Sequence, residues 1–560
     1  MKDKFIKNLD IDDITSADFL EDIDGSTVDI SSLNTIHDKY QFESNFNFDF
    51  KSQNHVDRKI YDIDIYFFIP KTFGINKDTY KTDQFYSDLT NYLRIRTPDI
   101  FKWNKLKSDE FVLNWSDEYF RVHLSTQKRQ NLETTVIQEV KLFGCFINTQ
   151  LKELQHFFFK TLNKNSDSLD ELIIKSLLSR IDNIETILNV YRKKYLLPIR
   201  KKMILIDPEV KRAFLLTDEF ISYRLEIVFI KLIEIIKRNK TSNQKMAEQI
   251  EKILTSEISY RNEVNFINID YKRDEEILEN YYYRLDLLKK YVSQVLFLET
   301  KHSKKESTYK NIVAGFAAGI AATFATIAET QRIQMAVNSG KVGMSFLSLV
   351  FLGVAIYIFK DRIKEIIREY FNKTLRRFLP DFEIKIFYNY FNEEGELKKD
   401  LIGRSKEFVR FIKKESIPPE INYIRELEKQ KEFEPERNEE ILHYSKKIIF
   451  SSNIDNENLL KVQFIKNITR FALNEFLSKL EDPNKVVNYF NSEKGISSIN
   501  VPKVYHINVI FHYSTVHQKT KKSKTSKYEF ERIRILLNKR GIIRIESILP
   551  RGELNYSEEK

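Results

Sequence analysis

A metal-dependent nuclease needs clustered carboxylates to hold a divalent cation and a lysine beside the attacking water. Glu139-Val-Lys141 has that local form on a stretch that reads as a strand, and Asp117 upstream supplies a second carboxylate. Asp117, Glu139 and Lys141 are therefore the candidate catalytic set, with Asp381 and Glu383-Ile-Lys385 as a poorer copy. Charged residues make up 31% of the chain. Acid-x-Lys triplets must then recur by chance, and a solvated strand face competes with the catalytic reading.

Three histidines, His506, His512 and His517, fall close together. On a strand, His506 and His512 share a face because even spacing preserves the side. No third ligand is indicated, so neither a metal nor a cofactor is expected, and hydrogen-bonded sheet histidines are the commoner case. The single cysteine, Cys145, sits among apolar residues and reads as a buried, inert thiol. One cysteine excludes an intramolecular disulfide framework and a multi-cysteine zinc site. Phosphate-cradling GxxxxGK[ST], GxGxxG, HExxH and GxSxG are all absent, which argues against the commonest ATPase, metalloprotease and hydrolase designs. Whether the chain is an enzyme stays open at this level.

The tract KTKKSKTSK carries Lys519, Lys521, Lys522, Lys524 and Lys527 between two expected strands. Such a loop suits anionic lipid headgroups or a nucleic-acid backbone, each attracted without sequence specificity, or is simply a solvated hairpin loop.

The stretch around which these elements are arranged is Ile312–Phe359. Two uncharged apolar runs, Ile312–Ala328 and Val342–Phe359, flank a polar link carrying Glu329, Arg332 and Lys341. At 17 and 18 residues both are near the lower limit for crossing a hydrocarbon layer of roughly 30 Å. Lys301, Lys304, Lys305 and Lys310 precede the first run and Lys360, Arg362 and Lys364 follow the second. The positive-inside rule then keeps both long halves and both termini in the cytoplasm and turns the link outward. The competing reading is a buried hairpin in a soluble protein. Gly315 and Gly319 form GxxxG beside a small-residue stripe that includes Ala318 and Ala322. Small side chains let helices approach closely in lipid, so these residues are the expected packing face, toward the second run or another copy. The absence of ionisable residues inside both runs argues against a proton or ion relay.

The remaining organisation follows from period and composition. The chain has 560 residues, 42% of them hydrophobic, with a net charge of +10. That mild excess suits a protein beside an anionic membrane surface and is weak evidence for nucleic acid. No apolar segment opens the chain, so no cleavable signal is expected. Residues 1–40 read as an acidic mobile arm. Residues 41–148 read as an α+β domain with strands around Phe42–Phe50, Tyr61–Ile69, Phe111–Leu124 and Thr134–Leu142 and a helix over Asp83–Leu93. Residues 150–308 carry helical stripes, including a capping box at Ser168–Glu171, and form a bundle or coiled stalk. The hairpin occupies 309–360, and an amphipathic basic helix 361–380. Residues 381–550 form a second α+β domain with a helix over Leu459–Leu480, and 551–560 a polar tail.

The expectation is a multidomain α+β chain in which two strand-rich cytosolic domains flank a helical stalk and a two-helix transmembrane hairpin. Its role would be a sensor, scaffold or effector at a bacterial-type inner membrane, oligomeric through the hairpin. A metal-dependent nuclease or a nucleic-acid-binding protein is the alternative.

Overall fold

The computed structural model describes residues 30–49, 58–97, 101, 113–121, 126–164, 171–201, 206–238, 244–268, 275–303, 306–338, 346–375, 380–391, 397–427, 438–451, 464–492, 495–518 and 524–553. It is mixed α and β, with large strand-rich sheets and helices.

Strands β1 (Ile30–Asp38), β2 (Gln41–Asp49), β3 (Arg58–Pro70) and β4 (Leu89–Ile95) come from the first part of the chain. The short strand β5 (Glu299–Ser303) precedes the long hairpin. After it come β6 (Phe382–Phe391), β7 (Leu397–Ile412), β8 (Glu439–Ser451), β9 (Phe464–Ala472) and the pair β10 (Asn484–Asn491) and β11 (Gly495–Pro502). The last three are β12 (Tyr505–Gln518), β13 (Lys524–Asn538) and β14 (Gly541–Gly552). An eight-stranded sheet runs β14-β13-β12-β3-β8-β7-β6-β5, and a four-stranded sheet runs β1-β2-β9-β4.

Alternation builds the interface between these sheets. Tyr61, Ile63, Ile65 and Phe67 of β3 lie on one face and meet Phe42, Phe46 and Phe48 of β2. Ring contacts such as Phe42–Phe67 at 6.3 Å and Phe48–Tyr61 at 4.9 Å cross the gap. At the β13–β14 turn, Gly541 takes φ 137°, and a Cβ there would lie 2.3 Å from the Lys39 carbonyl oxygen. Both the conformation and the close approach require glycine.

Residues 41–148 and 381–550 therefore do not form two separate strand-rich domains. Strand β3 lies between β8 and β12, and β9 lies between β2 and β4. Period two reveals which face of a strand is buried but not which strand lies beside it, so the exchange was invisible. Two expected strands are helices instead. Asn114–Tyr119 is helix α2, and Thr134–Leu142 lies within α3 (Thr126–Lys164). Thr134, Thr135, Val136 and Ile137 mimic a strand by being β-branched. The deciding stripe is longer: Leu132, Val136, Val140, Phe143, Ile147, Leu151, Leu154 and Phe158 are all buried at three-four spacing. Conversely, Phe464–Ala472 is strand β9 rather than part of a helix, followed by the short helix α11 (Asn474–Ser478). It is inserted mid-sheet and buried nearly throughout, so no clean alternation marks it. The expected helix over Asp83–Leu93 splits into α1 (Thr82–Asp88) and β4. The 168–171 capping box is not wholly within the described residues, which resume at Glu171.

The helical part packs around α5 (Pro208–Arg238), with α3, α4 (Glu171–Tyr191), α6 (Gln244–Val264) and α7 (Glu275–Ser293) against or near it. Helix α4 continues through a π turn at Arg192–Leu196 into Leu197–Arg200. This bundle joins the sheets through one continuous apolar core and through Leu298 N–H donating to Leu93 O at 2.8 Å.

The hairpin is α8 (Glu306–Asn338) and α9 (Phe346–Leu375), an antiparallel pair leaving from β5 and returning into β6. Because Ser303 pairs with Glu383, its two ends are held together at the sheet edge. Among the described residues one helix is long and apolar enough to cross a membrane, Asn311–Gln334, with mean hydropathy 1.7 and 17% buried. Helix α9 joins the apolar Phe346–Phe359 directly to the charged stretch that begins at Lys360. A short helix, α10 (Pro419–Glu426), covers part of the outer face of the eight-stranded sheet.

Candidate functional site

The expected catalytic triad is dispersed by the helix on which two of its members sit. Two residues apart on an α-helix are about 200° apart around the axis, so Glu139 and Lys141 point to different sides of α3. Glu139 accepts from Trp115 N–H (3.1 Å), Ser116 N–H (2.8 Å) and Ser116 Oγ–H (2.7 Å) at the start of α2. Burial raises its pKa. Lys141 lies over the Tyr291 ring at 3.9 Å, and burial lowers its pKa. Asp117 accepts from Lys194 Nζ (2.7 Å) and Tyr195 OH (2.6 Å). Each charge is used in packing helices. Asp381 likewise accepts from Val409 N–H at 2.7 Å.

Buried charge within the bundle is also paired. Arg192 bonds Asp218 (2.8 Å) and, with two nitrogens, Glu257 (2.8 and 2.6 Å), and its guanidinium lies over Tyr260 at 3.6 Å. Burial opposes the Arg192 charge, but Asp218 and Glu257 outweigh it and raise the pKa. Cys145 is buried, and burial pushes its thiol up to about 12.

Lys519, Lys521 and Lys522 lie outside the described residues, while Lys524 and Lys527 begin β13. Lys527 reaches Glu529 at 3.1 Å and Glu553 at 3.6 Å. On α8, nothing lies within 4 Å of a Cβ built on Gly315 or Gly319. Ala318 is half-buried and Ala322 exposed. The residues of that run buried in the pairing with α9 are Val313, Ala317 and Ala321.

The structure does bring one group of titratable residues together on the outer face of the eight-stranded sheet. Asp64 of β3 lies between His443 of β8 and His512 of β12. His443 Nε2 donates to Asp64 Oδ1 at 3.0 Å, and His512 Nδ1 stands 3.5 Å from Oδ2. Burial alone would raise the Asp64 pKa, but the two imidazoles outweigh it and hold the carboxyl well below its usual range. Both rings are clamped by aromatic neighbours. His443 stacks on Tyr66 at 4.4 Å and 10°, and His512 on Phe530 at 4.9 Å and 18°.

Comparison of the chain with family models, curated proteins and solved structures found no match.

Of the three histidines grouped in the sequence, only His512 belongs to this cluster. His506 is exposed, six residues from His512 along β12. His517 pairs through its backbone with Lys59. Asp64 and His443 lie 379 positions apart in the chain, so sequence order does not bring them together. The available signal was local: Asp62 and Asp64 occupy alternate positions on the face of β3 opposite its apolar residues. Among the described residues no group of three or more His, Cys, Asp or Glu is arranged to hold a metal ion.

Proposed function

We propose that the chain is a membrane-anchored protein whose composite sheet domain works at the cytoplasmic surface, with the α8–α9 hairpin as its anchor. The observation that carries this reading is the exposure of the apolar helix. Ile312, Phe316, Phe324 and Ile327 expose 43–61% of their surface, and the 24-residue segment Asn311–Gln334 is 17% buried. A core helix of a soluble protein would cover those side chains.

The sheet topology restricts how the hairpin inserts. Strand β3 precedes it and strands β8 and β12 follow it, yet all three pair side by side. They must share one side of the membrane, so the hairpin crosses an even number of times. Two crossings require the apolar runs to lie abreast, and the pairing seen here sets them end to end. Phe316 packs against Phe371 at 5.7 Å, and Arg332 reaches the Cβ position of Gly353. Ile312–Ala328 thus lies beside the charged half of α9, where Asp361, Arg362, Lys364, Glu365, Arg368 and Glu369 are exposed. At roughly 2.5–3.5 kcal/mol per charge near the bilayer centre, six would cost on the order of 15–20 kcal/mol. Insertion therefore slides the helices past one another by about 17 residues, or about 25 Å at 1.5 Å per residue. After that shift Lys360–Leu375 lies at the inner surface as an amphipathic segment.

Two measurements separate these points. After a carbonate wash of membranes, the full-length chain is expected in the pellet, and its release as soluble protein would overturn the anchor. With cysteines at 316 and 371, a short bifunctional thiol reagent is expected to link the helices in detergent-free soluble protein but not in membranes. Equal linking in membranes would refute the shift while leaving the anchor standing.

A further inference from the structure

The outer face of the eight-stranded sheet is covered at one end and open at the other. Ile421 and Ile424 of α10 pack on Tyr66, Phe68, Ile441, Ile510 and Phe530. The next row beyond that cover holds Asp64 and His512, with His443 opposite Tyr66 at its margin. The cluster thus forms the floor of a step where the helix ends and the bare sheet begins. His443, Asp64 and His512 expose 25%, 22% and 23% of their side chains.

Each imidazole commits one nitrogen to Asp64 and has a second to offer. Neither His443 Nδ1 nor His512 Nε2 has a protein partner among the described residues. Neither is among the buried unpartnered side-chain atoms, so both are open to solvent and hence to a ligand. The rings are held in plane by stacking and turned by a shared carboxylate, which fixes the direction of the outward nitrogens.

The surrounding charge indicates what that is. Lys447 of β8 stands four residues from His443 on the same face and bonds Asp62 at 2.9 Å. On the neighbouring strand β7, exposed Lys406 pairs opposite Lys447 and half-exposed Arg410 opposite His443. Acidic groups facing the cluster are Asp64 itself, Asp62, and Glu420 of α10, which acts on Tyr66. Phenols flank both rings, Tyr66 against His443 and Tyr528 of β13 stacked 5.9 Å from His512, while Arg532 of β13 is bonded to Ile424 O and Asn508 and Arg425 of α10 to Glu439. With both imidazoles protonated, the local cations outnumber the anions.

We propose that His443, Asp64 and His512 form a binding site for a phosphate group. The two outward imidazole nitrogens donate to its oxygens, and Lys406, Arg410 and Lys447 supply further positive charge. Asp64 positions the rings and does not touch the ligand. With the inward nitrogen bonded to Asp64, donation from the outward one uses the imidazolium form of each ring. The phosphate comes either from solution or from a lipid headgroup at the membrane surface.

Calorimetric titration of the full-length chain in nanodiscs tests this, with inorganic phosphate in one arm and phosphatidate placed in the nanodisc bilayer in the other. Binding at pH 6 is expected to weaken at least tenfold in His443→Gln and in His512→Gln, and to weaken in the exposed Lys406→Gln, whose fold is not at stake. His506→Gln, outside the cluster, is expected to bind as the parent does. Asp64→Asn is expected to weaken binding less than either histidine substitution, because it leaves both rings in place and loosens only their orientation. Competition between phosphatidate and added phosphate identifies the headgroup as the source, and unchanged phosphate binding identifies solution phosphate. Absence of millimolar binding in both arms, or binding untouched by the histidine and Lys406 substitutions, would overturn the proposal.

Discussion

Replacing Glu139 with alanine separates a structural role from a catalytic one. The carboxylate accepts three hydrogen bonds at the start of α2, from Trp115 N–H (3.1 Å), Ser116 N–H (2.8 Å) and Ser116 Oγ–H (2.7 Å). Ser116 is fully buried, so water cannot replace its two lost bonds. Each unsatisfied buried donor costs about 1–3 kcal/mol, which for Ser116 alone suggests about 2–6 kcal/mol. Burial, however, works against the Glu139 charge, so removing the carboxylate recovers part of its desolvation and the expected net loss is about 2–4 kcal/mol. Glu139→Gln keeps an acceptor and no charge, and should lose about 1 kcal/mol. Its pH behaviour supplies an independent sign. The folded pKa of Glu139 lies above its unfolded value. Its contribution to stability is therefore fully present below about pH 4.3 and falls as pH rises through the folded value, a dependence that Gln removes. The assay is urea unfolding followed by Trp115 fluorescence in a Trp103→Phe background, since the chain has two tryptophans. Glu139→Ala within about 0.5 kcal/mol of the parent would refute the capping argument, because uncapped helix starts usually cost about 1 kcal/mol or more. Loss of a Mg²⁺-dependent nuclease activity at unchanged stability would restore the catalytic reading.

Other perturbations follow from the same packing. Arg192→Leu removes both guanidinium bonds to buried Glu257 and one partner of buried Asp218, which keeps Arg200 and Tyr260, and should destabilise the bundle by about 3 kcal/mol; a loss under 1 kcal/mol in denaturant unfolding would contradict it. Cys145, with its thiol pushed up to about 12, should resist iodoacetamide at pH 8 until the chain is unfolded, as measured by mass spectrometry. Ala321→Leu places a large side chain at a fully buried position of the hairpin and should cost about 1–3 kcal/mol, read as weaker thiol linking between positions 316 and 371 in soluble protein. Asp64 has a lowered folded pKa, so its contribution is present above about pH 4 and lost as pH falls further. Asp64→Asn should accordingly flatten the acid limb of a stability curve.

Local periodicity settled a good deal. The aromatic positions Phe42, Phe46 and Phe48 of β2 and the apolar face of β3 lie buried where alternation puts them, and the stripes over 218–238, 244–260 and 274–300 fall on α5, α6 and α7, although α5 begins ten residues earlier and α7 ends at Ser293, before strand β5. The apolar run 312–328 is likewise legible in composition and lies within the helical segment Asn311–Gln334. These features depend on neighbours within a turn or two, which a sequence displays directly. Tertiary structure decided the rest. Thr134–Leu142 carries enough β-branched residues to imitate a strand, and only packing against α5 selects the helix. Strand β9 is covered on both faces, so its alternation is erased by the environment that makes it a strand. The central position of β3 depends on pairing with strands hundreds of residues away. The bond between Asp64 and His443 spans 379 positions. Chain order carries no sign of such pairing, because the hydrogen bonds joining neighbouring strands are made by a backbone common to every residue. Which side chains then meet across those strands, and hence where a site forms, is set by register.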